Sequence, residues 1–295
     1  MRVGVLYGGR SDETAISRKS GRAVVNALRQ ARIPARGIEV TSRLPADLLK
    51  NKIDFCFIAL HGRFGEDGTV QGLCEMMRIP YSGSGVLASA LSMNKALTKT
   101  LLSARGISTA PFQILSDSDQ KVTLPLPFVV KPVDGGSAIG VTIVRRPSQV
   151  KTALKLALEH SRQALAERFV AGREVTVPVL GDKTLPIVEI IPKGSFYDFK
   201  AKYDKGGSRH ILPARLAART SALIRKWALD AHGILGCRAF SRSDFIIDRN
   251  GRPFFLELNS IPGMTETSLY PESAKAAGYS FSEMLLEIIR LSQKS

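Results

Sequence analysis

Two acidic side chains towards the end of the chain, Asp244 and Glu257, have the type and spacing expected of a cation site. They flank Asn250 and Gly251, a dipeptide that is typical of two-residue type I′ hairpin turns. A turn at that dipeptide places the two carboxylates directly opposite each other on neighbouring strands. Like charges in that position repel, so a cation or a basic side chain is expected beside them.

The same register places Arg242 opposite Asn259 at the open end of the hairpin. It also predicts a core-facing side, made of Phe245, Ile247, Phe254, Leu256 and Leu258. Mg²⁺ prefers oxygen ligands of the kind that Asp244, Glu257 and Asn259 carry. The alternative is an ion pair between Arg242 and the two acids. Asn259 adds a neutral oxygen that an ion pair does not need, which favours the metal.

A glycine-rich loop, residues 131–140, could bind phosphate. It begins with Lys131 at the end of a predicted strand and contains Gly135 and Gly140. Glycines let backbone N–H groups approach phosphate oxygens, and a lysine adds a positive charge. Val141 stands where a Walker A sequence has lysine, so the loop is not of that type. Taken alone, it predicts either a phosphate site or an ordinary flexible hairpin.

Residues 83–88 match the G-x-G-x-x-G/A pattern of dinucleotide sites. Such a site needs an acidic residue about 20 positions further on, which binds the ribose. No Asp or Glu occurs between Ser89 and Ser116. We therefore interpret residues 83–88 as the turn into a helix and do not expect a nicotinamide-dependent oxidoreductase.

His61 follows a predicted strand and stands near Glu66 and Asp67. A histidine in that position either contacts a ligand or is a hydrogen-bonded structural group, and the residue types leave both open.

The sequence has no Gly-x-Ser-x-Gly elbow and no cysteine with a supporting histidine motif. Nucleophilic hydrolysis is therefore not expected.

The elements that must position these groups follow from the hydrophobic pattern. In the first 92 residues, short apolar strands alternate with amphipathic helices, which predicts a parallel sheet in a three-layer α/β unit. The predicted strands are residues 3–7, 38–40 and 54–60, and the predicted helices are residues 13–30 and 68–78. Ligands of such sheets bind beyond the carboxyl ends of the strands, which here carry residues 8–11 and 61–68.

From Met93 the pattern changes to antiparallel strands with fewer helices, an α+β arrangement. The predicted strands are residues 112–115, 128–131, 140–144, 166–170, 174–180 and 187–191, followed by the hairpin at 242–259. The predicted helices are residues 95–104, 149–160, 219–232 and 282–291. These changes divide the chain into three predicted domains, residues 1–92, 93–185 and 186–295.

Composition excludes several classes of protein. The 295 residues are 44% hydrophobic and 23% charged, which excludes intrinsic disorder, and no apolar run reaches the ~20 residues of a membrane span. The net charge of +16 divides into +5, +6 and +5 over the three predicted domains, so nucleic acid is not an expected partner. Three scattered cysteines and no signal peptide predict a cytoplasmic location.

Three sequence blocks, residues 8–13, 60–72 and 257–265, resemble those of the D-alanine–D-alanine ligases of the ATP-grasp superfamily. The resemblance extends from about Val3 to Phe281, in the family's order and at close to its spacing. It implies a three-domain ATP-grasp fold, with an N-terminal parallel α/β domain and ATP between the other two. The implied activity joins two D-alanines through an acyl phosphate, for peptidoglycan precursor synthesis.

The resemblance implies a set of nucleotide and metal contacts. Lys95, Lys131 and Lys202 match lysines that contact phosphate. The other nucleotide contacts would come from Glu167, Phe169, Val170, Glu174 and Phe196. Asp244, Glu257 and Asn259 match the ligands of two Mg²⁺ ions, with Mn²⁺ as a substitute, in agreement with the hairpin register.

The resemblance also implies the catalytic groups. Glu13, Ser137 and Tyr203 match a hydrogen-bonded trio, in which Glu13 would hold the ammonium group of the first D-alanine. Arg242 and the backbone N–H of Gly263 match a pair of donors that stabilises the oxyanion of the tetrahedral intermediate.

Further implied contacts concern the substrates and the assembly. His61 would lie beside the substrate, and Ser268 and Leu269 would bind the carboxylate of the second D-alanine. Residues 196–205 would belong to a loop that closes over the site and excludes water. The expected partners are ATP, D-amino acids and a second copy of the chain, with no membrane contact.

The sequence departs from the family pattern at several positions. Ala138 replaces a usual serine, Gly135 a common glutamate, Asn94 an aspartate, and Lys200 a usually acidic residue. These departures leave open a related ligase with a different second substrate, such as D-serine, a hydroxy acid or another amino acid. Tyr203 favours a dipeptide product. A basic ATP-binding or nucleic-acid-binding module without ligase activity is the remaining alternative, and the even spread of charge disfavours it.

Overall fold

The structure is a computed structural model that describes residues 1–193 and 207–294. Its first part contains a three-stranded parallel sheet in the order β2-β1-β3. The strands are β1 (Val3–Gly8), β2 (Ala35–Val40) and β3 (Phe55–Ile58), and the helices are α1 (Thr14–Gln30), α2 (Leu44–Lys50) and α3 (Thr69–Met76). The predicted parallel arrangement is confirmed.

Both faces of this parallel sheet are covered, which explains the apolar runs of its strands. On one face, Val5 and Phe57 pack with residues of α1. On the other face, Leu6 and Ile58 pack with residues of α2 and α3. The three layers predicted from the alternation of strands and helices are therefore present.

A four-stranded antiparallel sheet follows, in the order β4-β7-β5-β6. Its strands are β4 (Phe112–Leu115), β5 (Phe128–Pro132), β6 (Thr142–Val144) and β7 (Ala164–Arg168). The helices of this part are α4 (Val86–Met93), α5 (Lys95–Ala104) and α6 (Val150–His160), the last preceded by a 3₁₀ turn (Pro147–Gln149). Because α4 begins directly after Gly85, residues 83–88 form the helix-entry turn that we predicted.

The last sheet is antiparallel, in the order β11-β10-β8-β12-β13, with β9 paired to β8. Its strands are β8 (Gly172–Leu180), β9 (Lys183–Thr184), β10 (Val188–Pro192), β11 (Ser208–Ile211), β12 (Phe240–Asp248) and β13 (Pro253–Asn259). The helices are α7 (Ala218–Ile234), α8 (Leu269–Ala276) and α9 (Phe281–Ser292). The antiparallel pattern is confirmed, and the three domain ranges stay a prediction.

The two ends of the chain share one hydrophobic core. Leu285 and Ile288 of α9 are buried in the same cluster as Val24 and Leu28 of α1. A serine at the end of α9, Ser292, also accepts a hydrogen bond from the backbone of residue 83. Within the described ranges, none of the helices is long and apolar enough to cross a membrane.

The turn of the β12–β13 hairpin differs from the prediction. The Asp248 N–H donates to the Arg252 carbonyl at 3.0 Å, so the loop has three residues instead of two. Of these described loop residues, Gly251 alone has a left-handed backbone, at φ +77°, whereas a type I′ turn needs two such residues. The longer loop shifts the pairing by one residue and places Ile247 opposite Pro253, so the predicted pairing of Ile247 with Phe254 was wrong.

A β-bulge then restores the register before the candidate site. Phe245 pairs with Phe255, but the next pair is Asp244 with Glu257, which leaves Leu256 as the extra residue. The opposition of Asp244 and Glu257 is therefore confirmed. The pairing of Arg242 with Asn259 is confirmed as well.

The bulge also corrects the predicted core face. Phe255 is fully buried and packs edge-on against Phe245, with 5.6 Å between the ring centroids. Phe254 is only half-buried and lies beside the Arg168 guanidinium, and Leu256 is half-buried and lines a cleft. Phe254 and Leu256 were therefore wrongly predicted as core residues. The extra residue of the bulge changes which side chains of this part of β13 face the core, so that Phe255 faces it instead.

Candidate active site

A cleft of about 370 Å³ lies between the two antiparallel sheets. Apolar side chains of both sheets line it, which suits a flat aromatic ligand such as a nucleobase. It brings together six of the residues predicted to bind ATP: Lys95, Lys131, Glu167, Phe169, Val170 and Glu174. The other two, Phe196 and Lys202, lie outside the described residues, as does Lys200.

Lys95 occupies the first position of α5 and reaches the glycine-rich loop. Its amino group donates a hydrogen bond to the Gly135 carbonyl and lies 3.7 Å from the Glu257 carboxylate. Asn94 caps the helix, because its side-chain oxygen accepts a hydrogen bond from the Leu97 N–H at 2.9 Å. The departure at position 94 therefore keeps a capping group, and Lys95 is held at the cleft.

Lys131 and a second, unpredicted lysine share one glutamate. The carboxylate of Glu167 lies 2.6 Å from the Lys131 amino group and 2.5 Å from that of Lys99. Burial alone would raise the pKa of Glu167, but the two ammonium groups outweigh it and lower that pKa. Burial lowers the pKa of Lys99 to about 8, although Glu167 opposes this shift. The sequence carried no signal for Lys99, which stands among the polar residues of an ordinary amphipathic helix.

Asp244, one of the two opposed acidic residues of the hairpin, is bound by arginine, amide and hydroxyl side chains. Arg242 forms two hydrogen bonds with Asp244, at 2.9 and 2.8 Å. The Asn259 amide donates to the same carboxylate at 3.2 Å, and the Thr176 hydroxyl donates at 2.5 Å. The ion pair weighed against a metal is thus present at Asp244, with Thr176 as a partner that the sequence did not suggest.

The donor set at this edge fits Mg²⁺. Asp244, Glu257 and Asn259 bring two carboxylates and one amide oxygen to the open end of the hairpin, and oxygen donors are what Mg²⁺ binds. In the part of the chain that the structure describes, no three His, Cys, Asp or Glu residues group as a metal site, so the amide of Asn259 would be needed. Metal binding by these three residues stays a prediction.

Glu13 lies at the start of α1 and is buried. The hydroxyl of Ser137, in the glycine-rich loop, donates a hydrogen bond to its carboxylate. Gly62 lies so close that a Cβ there would meet Glu13 Oε2 at 2.9 Å, and its φ of +69° favours glycine. Two members of the predicted trio are thus in contact, and the third, Tyr203, lies outside the described residues.

His61 is buried beyond the end of β3, near Arg242. Its Nε2 lies 3.3 Å from the hydroxyl of Ser20, which accepts a hydrogen bond from the Met264 N–H at 3.3 Å. Burial, with the nearby Arg242 charge, lowers the pKa of His61 to about 4. The imidazole is therefore neutral at pH 7. The structure thus places His61 beside the site and also gives it a structural hydrogen bond.

Glu66 is an acidic residue of this site that sequence reasoning did not select. It accepts a hydrogen bond from the Gly62 N–H at 2.7 Å and lines a small cavity together with Glu257 and Asn259. Burial and then the neighbouring Glu13 raise the pKa of Glu66 to about 8. Its place beyond the end of β3, where parallel sheets bind ligands, was the signal that could have found it.

Of the predicted oxyanion and carboxylate contacts, Gly263 and Ser268 lie in the segment before α8, and Leu269 is the first residue of α8. A Cβ at Gly263 would lie 3.1 Å from the Ser268 hydroxyl, so that backbone and hydroxyl are close. The Ser268 hydroxyl also lies 2.7 Å from that of Thr265. Leu269, by contrast, is buried against Val188 and Ile190. The segment thus holds a hydroxyl cluster, and the roles of Gly263, Ser268 and Leu269 stay predictions.

The glycine-rich loop lies between the cleft predicted to bind the nucleotide and the cleft that contains Glu13, which is predicted to bind the first amino acid. Gly135 and Gly136 border the nucleotide cleft and also a second, larger cleft lined by Glu13 and Arg63. They border the small cavity with Glu66 and Glu257 as well. The two clefts and the small cavity therefore meet at this loop.

Two antiparallel sheets that enclose a nucleotide-sized cleft, with lysines and a carboxylate pair at one end, define an ATP-grasp enzyme. Family models described as the D-ala D-ala ligase C-terminus and N-terminus match residues 101–290 and 40–84. The chain belongs to the D-alanine–D-alanine ligase family and is an ATP-dependent ligase.

Similar proteins cover the whole chain. A D-alanine–D-alanine ligase of Citrifermentans bemidjiense is 48% identical, over 98% of this chain and 95% of its own length. One of Pelotomaculum thermopropionicum is 44% identical, over 100% of this chain and 98% of its own. The crystal structure of D-alanine–D-alanine ligase from Bacillus anthracis complexed with ATP has a TM-score of 0.88 at 32% identity, covering 100% of this chain and 98% of that chain.

Proposed function

We propose that the joined clefts form D-alanyl-D-alanine, the product that the names of the related ligases indicate, and that they do so in two steps. A carboxylate oxygen of the first D-alanine attacks the γ-phosphorus of ATP, the bond to ADP breaks, and an acyl phosphate forms. The amine of the second D-alanine then attacks the acyl carbon, and the tetrahedral intermediate expels phosphate. The product is a precursor of peptidoglycan.

The observation that carries this proposal is the position of the glycine-rich loop. Gly135 and Gly136 line both the nucleotide cleft and the cleft of Glu13, so the two clefts meet at this loop and a γ-phosphate and a substrate carboxylate could come into contact beside it. Lys95 and Lys131 bring positive charge to the nucleotide side of that loop. Phosphoryl transfer needs this combination of positioning and charge.

The amino-acid side supplies the remaining groups. Glu13, held by Ser137, would bind the ammonium group of the first D-alanine, and Tyr203 would complete the trio that positions the attacking amine. The guanidinium of Arg242, fixed by its two bonds to Asp244, and the N–H of Gly263 would stabilise the oxyanion. Ser268 and Leu269 would contact the second substrate.

Asp244, Glu257 and Asn259 would hold the two Mg²⁺ ions, or Mn²⁺ in their place. The bound metal would neutralise the charge that develops on the transferred phosphoryl group. Two of these residues also have contacts that do not involve the metal. Asp244 orients Arg242, and Glu257 lies beside Lys95.

Turnover with defined substrates tests the proposal. The protein is incubated with ATP, Mg²⁺ and D-alanine, L-alanine, or D-alanine paired with D-serine or a hydroxy acid. ADP release is followed and the products are identified by mass spectrometry. We expect ADP and D-alanyl-D-alanine in equal amounts. No ADP release with any of these substrates contradicts the proposal, and product from unlike substrates alone identifies a ligase with a different second substrate.

We also propose that the chain acts in the cytoplasm as a homodimer. On the described surface, the neighbouring helices α3, α4 and α5 expose large apolar side chains, Met76, Leu87 and Leu97 among them. Clustered exposed apolar residues mark interaction surfaces. Sedimentation velocity should give twice the mass of the 32.1 kDa chain, and Met76→Lys should shift the mass towards the monomer. A monomer for the unchanged chain would contradict this.

A further inference from the structure

Lys99 is a fully buried lysine, which is rare because burial removes the hydration of its charge. It lies on α5, one turn after Lys95, and does not line the nucleotide cleft. Its amino group donates three hydrogen bonds, to Thr109 Oγ1 at 2.7 Å, Glu167 Oε1 at 2.5 Å and the Phe255 carbonyl at 3.0 Å. An ammonium group has three donors, and all three are used.

Glu167 connects this buried lysine to the cleft. One carboxylate oxygen binds Lys99, and the other lies 2.6 Å from the Lys131 amino group. Lys131 lines the nucleotide cleft, beside the glycine-rich loop. Lys99, Glu167 and Lys131 therefore form a continuous chain of ion pairs from the protein interior to the nucleotide cleft.

The net charge of these three side chains determines the electrostatic potential that a phosphate experiences in the cleft. Lys99, Glu167 and Lys131 together carry one net positive charge when all three are ionised. Without Lys99, the carboxylate of Glu167 would neutralise Lys131 alone, and the pair would carry no net charge. Interactions of this kind are strong at a buried site, since little water screens them.

Lys99 also ties the two walls of the cleft together. Glu167 belongs to β7 of the second sheet, and Phe255 belongs to β13 of the third, next to the bulge at Leu256 that precedes Glu257. One ammonium group therefore contacts both sheets at the phosphate end of the cleft.

We propose that Lys99 is a positioning residue for ATP: it holds Glu167 and offsets its charge, so that Lys99, Glu167 and Lys131 together present a net positive charge to the phosphates. This inference rests on the phosphate role of Lys131 in the proposed function. It concerns nucleotide affinity and not the transfer of any group, so it can be tested by binding alone.

The experiment compares the Kd for ATP, measured by titration calorimetry with Mg²⁺ and without D-alanine, in four proteins. Lys99→Met should weaken ATP binding by about 10-fold. The double variant Lys99→Met/Glu167→Gln restores one net positive charge at Lys131 and should recover most of that loss. Lys155→Met, which removes an exposed lysine on α6, is the matched control and should bind ATP as the unchanged chain does.

The double variant separates this proposal from a purely structural role. If Lys99 only filled space and joined the sheets, removing Glu167's charge as well would leave ATP binding as weak as in Lys99→Met, or weaker. That result, or a Kd unchanged in Lys99→Met, overturns the proposal. Since no amino acid is present, the outcome does not depend on which product the enzyme makes.

A further variant covers the case in which Lys99→Met does not fold. Lys99→Gln removes the charge but keeps an amide group that can donate hydrogen bonds in the same place, so its Kd for ATP should also rise by about 10-fold. An unchanged Kd in a folded Lys99→Gln protein would overturn the proposal.

Discussion

The proposed nucleotide side and the proposed amino-acid side of the site differ in how their buried ionisable groups are stabilised. On the nucleotide side, lysines and carboxylates are paired, as Glu167 is with Lys99 and Lys131. On the amino-acid side, burial favours the neutral forms, with the pKa of His61 lowered to about 4 and that of Glu66 raised to about 8. The difference shows that burial sets the protonation state of a group unless the opposite charges around it outweigh desolvation, as they do at Glu167.

This contrast matches the chemistry expected of each side. Phosphates of ATP require lysines that stay charged, and the carboxylates near them hold these lysines in place. A substrate ammonium group needs one defined acceptor, and a neutral His61 and protonated Glu66 would leave that role to Glu13. The predictions below test the two sides against each other.

The largest effect is expected at Glu257 on the nucleotide side. Glu257→Gln should lower kcat by at least about 100-fold, because it removes one of two carboxylates that would hold Mg²⁺ and the acid beside Lys95. Steady-state kinetics measure this. Glu39→Gln, which breaks an exposed ion pair with Arg18, is the control and should keep full activity. A fully active Glu257→Gln protein would refute the metal assignment.

The next effect separates two glutamates of the amino-acid side. Glu13→Gln should lower kcat/KM for D-alanine by about 100-fold, since it removes the charge for the substrate ammonium group. Glu66→Gln should lower it less than about 5-fold at pH 7, because a carboxyl with a pKa of about 8 is already mostly protonated. Equal losses in the two variants would show that Glu66 acts as a carboxylate.

The neutral histidines predict a dependence of stability on pH. The folded-state pKa of His61 and of His232 is about 4, against 6.5 in the unfolded chain, because burial disfavours the charged ring. The unfolded state therefore binds more protons between these values, and stability falls as the pH falls from 6.5 towards 4. Each histidine should lower the free energy of unfolding by about 2 kcal/mol between pH 7 and pH 5.

Urea denaturation at pH 7 and pH 5 measures that loss. His61→Gln and His232→Gln should each reduce the difference between the two pH values, whatever their own stability. His160→Gln, at an exposed position, should leave the difference unchanged. An equal difference in all four proteins would mean that the buried rings do not titrate on unfolding.

The smallest effect concerns salt. The KM for ATP should rise about 3-fold between roughly 50 and 500 mM salt, because salt screens the attraction between the basic surface and the phosphates. The KM for D-alanine should change much less, since a zwitterion carries no net charge. An ATP affinity that is flat across this range would show that the net charge of +16 has no part in nucleotide capture.

The hairpin shows how far sequence reasoning reached. Asn250 and Gly251 located the turn, and the opposition of Asp244 to Glu257 followed from it. The turn itself has three residues, and the bulge at Leu256 restores the register. Two irregularities of one residue cancel at the site, so the prediction was right there and wrong between them, at Phe254 and Leu256. Residue type could not reveal a bulge that depends on how β13 packs.

Lys99 and Glu66 show what the sequence could not supply. A lysine on an amphipathic helix normally points to solvent, and nothing near position 99 distinguishes it from its neighbours. Its burial depends on Glu167 and Phe255, which are distant in the chain and come together only when both antiparallel sheets form. The raised pKa of Glu66 likewise depends on burial and on Glu13, which is distant in the chain.

The sequence by itself determined the order of most strands and of the longer helices, the parallel and antiparallel parts, and the carboxylate pair on the last hairpin. These follow from local patterns of hydrophobic and turn residues, which act over a few positions. Only the tertiary structure decided which charges are paired and which groups are neutral. That outcome depends on burial and on the distance between side chains far apart in the chain, because desolvation and Coulomb attraction compete at each buried group.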